Sequence, residues 1–179
     1  MKKIALLLLT LSAFSFTMNA QVYKGKKNKI DFFSVTPMEN ITATDTTATM
    51  LLTPTTGDVI AMIPIKSFIF PSPLMQEHFN ENYMESDKFP YSTFKGKINE
   101  TVNYAVDGVT NVTITGTLTM HGVAQPRTIP ATITVKGGVV TVDSKFNVKL
   151  ADHKIEVPTT MGTKIADTIQ VTVHSEMTK

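Results

Sequence analysis

Residues able to do covalent or metal chemistry are few in this chain and badly spaced for it. Its four histidines, His78, His121, His153 and His174, are scattered. No H-E-x-x-H pair and no two-histidine-plus-carboxylate spacing occurs, so no metal site is expected. There is no G-x-S-x-G elbow and no glycine loop of the kind that cradles phosphate. The lack of cysteine removes thiol catalysis and cysteine-ligated metals. Asp152, Glu156 and Asp167 could meet in space as an acid–base pair, although charged residues at strand ends are ordinarily just solvated. His121, directly before Gly122 at a strand end, reads as a turn support through hydrogen bonding. The expectation is a protein with no catalytic residue, no metal and no cofactor.

The chemistry left to the chain is the burial of hydrocarbon. Phe32, Ile63, Phe68, Phe70, Phe94, Ile114, Leu118, Ile129 and Phe146 are its candidate wall residues, with Leu74, Met75, Phe79 and Tyr83 from one further segment. Each methylene removed from water contributes ~0.8 kcal/mol, so a long hydrocarbon needs only a dry, shaped slot. The same side chains could instead fill a solid core, as small eight-stranded barrels can. Methionine is frequent and tryptophan absent. Methionine adapts its shape to variable hydrocarbon tails, and it also fills ordinary gaps.

Period-two alternation must position these residues. Val112, Ile114, Gly116, Leu118 and Met120 fall on one face, with Thr113, Thr115, Thr117 and Thr119 on the other. Ile129 to Val135, Val140 to Leu150 and Ile169 to Val173 repeat the pattern, and Lys29–Val35, Thr47–Thr53, Val59–Ile65 and Tyr91–Ile98 are further strand candidates. Such alternation signals antiparallel strands with one dry and one wet face. Thr56-Gly57-Asp58, Asp107-Gly108 and Gly137-Gly138 punctuate the runs, the last as a tight hairpin.

One segment departs from period two. Ser72 is a fitting N-cap and Pro73 a fitting first helical residue. Leu74, Met75, His78, Phe79 and Tyr83 then share a helical face, while Glu77, Glu81 and Glu85 make a solvated acidic stripe. About eight strands and one amphipathic helix favour an all-β, closed antiparallel barrel with a helix over one end.

Residues 1–20 read as a secretory signal peptide. Lys2 and Lys3 precede the apolar run Ile4–Phe16, which is too short for a membrane span of ~20 residues, and a cut after Ala20 would leave Gln21 first. The mature chain, residues 21–179, then forms one domain. Two of the 17 basic residues leave with the signal, which balances the 15 acidic ones, and Arg127 is the sole arginine. Nucleic-acid binding, which needs a basic stripe, is not expected.

Two blocks carry a family resemblance. Asp87-Lys88-Phe89-Pro90-Tyr91-Ser92-Thr93-Phe94-Lys95-Gly96 and Gly116-Thr117-Leu118-Thr119-Met120-His121-Gly122-Val123 occur in order behind the signal. In order and spacing they resemble the YceI-like family of exported polyisoprenoid-binding proteins with lipocalin-like barrels, and the likeness spans most of residues 28–177. The sequence departs from the family at Ser34–Asn40 and at Ala151–Pro158, where a histidine-glycine hairpin and an aromatic-glycine element are usual.

The resemblance implies that the apolar set above lines a slot for a long-chain lipid: a polyisoprenoid, a quinone or a fatty-acid derivative. It implies reversible carriage or storage in a periplasmic or secreted barrel, with transient contact to a membrane or envelope proteins, and it is compatible with a homodimer. Two other classes are an envelope structural or adhesive domain with a filled barrel, and a lipid-modifying enzyme. The first would have no tunnel, and the second would need a polar, pKa-shifted cluster inside.

Overall fold

In a computed structural model, the structure describes residues 21–35, 40–156 and 165–179. The signal-peptide reading and part of each departure from the family pattern, residues 36–39 and 157–158, lie outside the described residues.

Among the described residues, nine strands form one antiparallel sheet: β1 (Tyr23–Ser34), β2 (Ile41–Asp45), β3 (Thr49–Thr53), β4 (Asp58–Pro64), β5 (Tyr91–Ile98), β6 (Gly108–Met120), β7 (Val123–Lys136), β8 (Val139–Lys149) and β9 (Thr168–Thr178). Each pairs with its neighbour in chain order from β3 onward, and β9 returns to pair with β1 along most of its length, from Lys24↔Thr178 to Phe33↔Gln170. The sheet therefore closes. β2 and β3 occupy one position beside β1, since β2 pairs with its second half (Ile30↔Asp45 to Ser34↔Ile41) and β3 with its start (Tyr23↔Leu52). Nine segments thus build an eight-position barrel, as the alternation predicts.

Strand β2 was not among the predicted strands, and side chains explain why it exists. Asp45 is fully buried, and its carboxylate accepts from Thr47 N at 3.0 Å, Ala48 N at 2.9 Å and Thr47 Oγ1 at 2.7 Å. These bonds satisfy a buried carboxyl and hold the turn between β2 and β3, so one long threonine-rich run is split in two.

The tight turns follow local chemistry. Gly137 and Gly138 hold φ of 56° and 81°, and His121 and Gly122 hold 51° and 71°. Two successive positive φ values are the signature of a two-residue hairpin whose twist matches its strands. Further along the same hairpin, Gly116 faces Gly96 across β5 and β6. A Cβ on Gly116 would collide with the backbone of Lys95 and Gly96, and one on Gly96 would sit 2.7 Å from the Phe94 ring. Both glycines are therefore required by close approach rather than by φ.

The helix is shorter than predicted, since the expected faces ran from the Ser72 cap as far as Glu85. α1 covers Pro73–His78, with Ser72 Oγ accepting from Met75 N at 3.5 Å, and a π-turn follows over Phe79–Tyr83. The wider turn rotates the last residues, so Tyr83 and Met84 are buried while Leu74 is 58% exposed. The predicted apolar face is corrected on that point. Glu85 also leaves the acidic stripe, since it is half-buried and bonded to His121 at 2.8 Å.

Candidate functional site: an apolar cavity inside the barrel

The two ends of the barrel are packed differently. At the end where β1 starts, Tyr23, Leu52, Ile133, Val140 and Met177 are at most 2% exposed and form a solid plug. At the other end, Ile65, Tyr83, Met84, Leu150 and Ile155 make a separate cluster beneath the π-turn and the 3-10 turn Leu150–His153. Between plug and cluster the interior is hollow. The cavity volume is about 180 Å³. One water needs roughly 10–15 Å³ on the same scale, so the cavity exceeds a packing defect many-fold.

The wall shows the same thing residue by residue. Val142, Ser144 and Phe146 of β8, Val171 and Val173 of β9, and Val59 and Ala61 of β4 all line the cavity yet are only half-buried. An inward side chain in a closed barrel keeps exposed surface only if nothing meets it across the axis. A filled barrel would bury these positions as fully as Ile133 and Val140 are buried.

Most of the predicted wall residues come together here. Phe32, Ile63, Phe68, Phe79, Tyr83, Phe94, Ile114, Leu118, Ile129 and Phe146 line the cavity. Phe70, Leu74 and Met75 do not. Phe70 is buried behind the wall, its ring 4.9 Å from Phe79 and 5.6 Å from Phe32. Met75 is half-buried against the main core, and Leu74 points to solvent. Phe79 stacks on Phe32 at 5.9 Å and meets Phe68 edge-on at 5.6 Å, so the π-turn is held to the barrel by aromatic contacts.

Sequence reasoning missed much of β9. Ile169, Val171, Val173 and Met177 line the cavity, as do Met50, Met84 and Met120. The alternation of β9 was legible, but nothing local distinguishes a β-branched residue on a cavity from one in a core.

Among the described residues, the polar side chains on the wall are three serines and Tyr83, and none is charged. Burial pushes the Tyr83 phenol up from its ordinary pKa of 10.0, so it stays neutral. Ser144 Oγ donates to Pro130 O at 2.7 Å and Ser175 Oγ to Asn28 Oδ1 at 2.6 Å. Ser92 Oγ is buried with no partner. Ser92 and Lys95 spell a serine–lysine spacing, but the strand puts Ser92 inside and Lys95 outside, so they form no catalytic pair.

The titratable cluster lies outside the cavity wall, around the β6–β7 hairpin. His121 Nδ1 contacts His153 O at 3.2 Å, His153 Nδ1 contacts Val123 O at 3.0 Å, and Arg127 pairs with Asp152 at 2.8 Å. The hydrogen bond from His121 holds the Glu85 carboxyl below its ordinary value, and burial pushes the His153 imidazole down. These groups tie the hairpin to the segments at the helix-covered end. Among the described residues, no group of three or more His, Cys, Asp or Glu is placed to hold a metal. No helix among them is long and apolar enough to cross a membrane.

Residues 14–177 match the YceI-like domain. The chain belongs to the YceI-like family. Among solved structures, this YceI-like chain is similar to a polyisoprenoid binding domain from Saccharophagus degradans implicated in plant cell wall breakdown. That likeness has 16% identity and a TM-score of 0.75, over 87% of this chain and 97% of that one. It is also similar to Burkholderia cenocepacia BcnA, with 18% identity and a TM-score of 0.70 over 83% and 95%. The Campylobacter jejuni YCEI protein aligns with 17% identity and a TM-score of 0.57 over 98% and 89%. At these identities the likeness shows the fold. No curated protein matches the chain.

Proposed function

We propose that this YceI-like barrel reversibly binds a long-chain apolar molecule, as carrier or store, and performs no chemistry on it. The observation that carries the reading is the uncovered inner face of β8 and β9. Val142, Phe146, Val171 and Val173 keep exposed hydrocarbon inside a closed barrel, and such surface stabilises the protein only when a ligand covers it. The polyisoprenoid binding domain of Saccharophagus degradans, which shares the fold, supports a polyisoprenoid or similar chain as occupant. Among the described residues, a wall of hydrocarbon with a few hydroxyls and no charge supports binding over catalysis.

The place of action belongs to the same proposal. A leader with Lys2 and Lys3 before an apolar run supports export and work in the periplasm or outside the cell. There the barrel would move its ligand between membranes or envelope proteins. Native mass spectrometry and organic extraction of protein from a secreting host test both parts. Expected are a mature chain beginning at or beside Gln21 and a long-chain apolar molecule in the extract. An empty extract, together with no uptake of a fluorescent long-chain lipid, would overturn the binding function.

A further inference from the structure

The barrel wall is not knitted equally all round. The β6–β7 ladder runs to the hairpin, ending at Met120↔Val123, and the β8–β9 ladder runs on to Lys149↔Thr168. Between β7 and β8 the ladder stops at Ala131↔Ser144. Among the described residues, no ladder joins residues 123–130 to residues 145–149. At ~3.3 Å per residue this leaves a seam of roughly 15 Å along the wall.

Two prolines account for the seam. Pro130 stands opposite Thr113 of β6, but Thr113 N donates to Glu100 and Thr113 O accepts from Asn99 N. The backbone of Pro130 thus faces β8, and period two turns Pro126 the same way. Neither residue has an N–H to give a ladder on that side. Side chains bridge the strands instead. Ser144 Oγ donates to Pro130 O at 2.7 Å. Further along, Arg127 pairs with Asp152 at 2.8 Å and Gln125 donates to Asp152 O at 2.7 Å.

Both banks of the seam belong to the cavity. The register of Ala131↔Ser144, continued, sets Ile129 opposite Phe146, and both line the cavity. The ends of the barrel are packed by contrast, one by the plug around Ile133 and Val140, the other by the buried cluster of Ile65, Tyr83 and Leu150. Elsewhere the wall is a ladder of strands about 4.8 Å apart, stapled by paired backbone bonds. Passage through the seam needs only its side-chain bridges to part.

On the reading that the cavity holds a long apolar chain, we propose that the chain enters and leaves sideways, between β7 and β8. Ile129 and Phe146 are the banks of this portal, and the Ser144–Pro130 and Arg127–Asp152 bridges are its clasp.

A portal sets how fast a ligand exchanges and leaves its equilibrium affinity alone. The probe is dansylaminoundecanoic acid, whose uptake and release are followed by stopped-flow fluorescence. Pro126→Thr with Pro130→Val, which returns both N–H groups, should slow association and dissociation together about fivefold, with Kd within about twofold of the parent. The chain has no cysteine, so Thr128→Cys with Asn147→Cys, exposed on opposite banks, can be tied with dibromobimane. The tie should slow both rates about tenfold at little-changed Kd. The same tie across the intact ladder, Thr134→Cys with Thr141→Cys, should leave the rates alone. Unchanged rates in the protein tied across the seam would overturn the portal, and so would a weakened Kd without slower exchange. Equal slowing by the control tie would mean that the whole barrel opens, and would overturn it as well. All three results leave the cavity's role intact, whereas failure of the parent to bind the probe would remove the binding function itself.

Discussion

His121 Nε2 lies 2.8 Å from Glu85 Oε2, and both residues hold a positive φ, 51° and 42°. Left-handed backbone at a non-glycine residue costs of order 1–3 kcal/mol and persists only where surroundings hold it. Here the second ring nitrogen also reaches His153 O. One ring thus links a carboxylate and a backbone carbonyl. It joins the segment after the π-turn, the β6–β7 hairpin and the turn after β8 at one point.

This bridge predicts an acid-sensitive step. The Glu85 carboxyl is held below its ordinary value of 4.5 by the His121 hydrogen bond. A carboxyl lowered on folding contributes stability above its unfolded value and loses it as pH falls through the folded one. Melting temperature should therefore drop below about pH 4.5, and Glu85→Gln should flatten that part of the profile. His121→Asn, which tolerates the left-handed turn, should flatten it too while leaving the hairpin intact. An unchanged acid limb in both variants would show that the bridge has no energetic role.

His153 predicts a second step at higher pH. Its ring is completely buried, and burial pushes its pKa below the ordinary 6.5. Nδ1 is engaged by Val123 O and Nε2 is buried without a partner, so the neutral ring is the one that fits. The unfolded chain binds a proton at 6.5 that the folded chain refuses, so stability falls as pH drops from 6.5 toward the folded value. His153→Asn, which can still donate to Val123 O, should remove that slope. Melting curves at pH 8, 6 and 5 would show it.

The π-turn predicts a division within one short segment. Phe79 lines the cavity and touches Phe32 and Phe68, while Leu74 is exposed. Phe79→Ser should weaken binding of a fluorescent long-chain lipid by tenfold or more, on the order of 1.4 kcal/mol. Leu74→Ser should leave the affinity unchanged. Equal losses from both would mean that the segment acts as a unit and not through the Phe79 ring.

The glycine pair predicts a stability difference without any change in φ. Gly116→Ala must push apart the backbones of β5 and β6, because Lys95 and Gly96 occupy the space its Cβ would take. The expected cost is about 1–3 kcal/mol in chemical denaturation. Gly108→Ala, at the start of the same strand, meets nothing within 4 Å and should be neutral or slightly stabilising.

Much of this protein was readable from local pattern. Alternation is a local property: the side chains of Val112, Ile114 and Leu118 must share a face wherever the strand goes, and so the all-β class and the β5 boundaries at Tyr91 and Ile98 could be read directly. The Ser72 cap is local in the same way, because its acceptor reaches only three residues ahead. Other features needed distant partners. β2 ends where Asp45 finds Thr47, Ala48 and Ser67, and Ser67 is 22 residues away. The burial of Tyr83 goes with a π-turn whose first residue, Phe79, stacks on Phe32 far back in β1. The division between core and cavity was the least legible of all. Val140 and Val142 sit two residues apart on one face of β8, and the sequence treats them alike. Only closure of β9 onto β1 places Val140 against the plug and Val142 on the cavity, because alternation decides which face is dry and the barrel's closure decides whether anything meets it there.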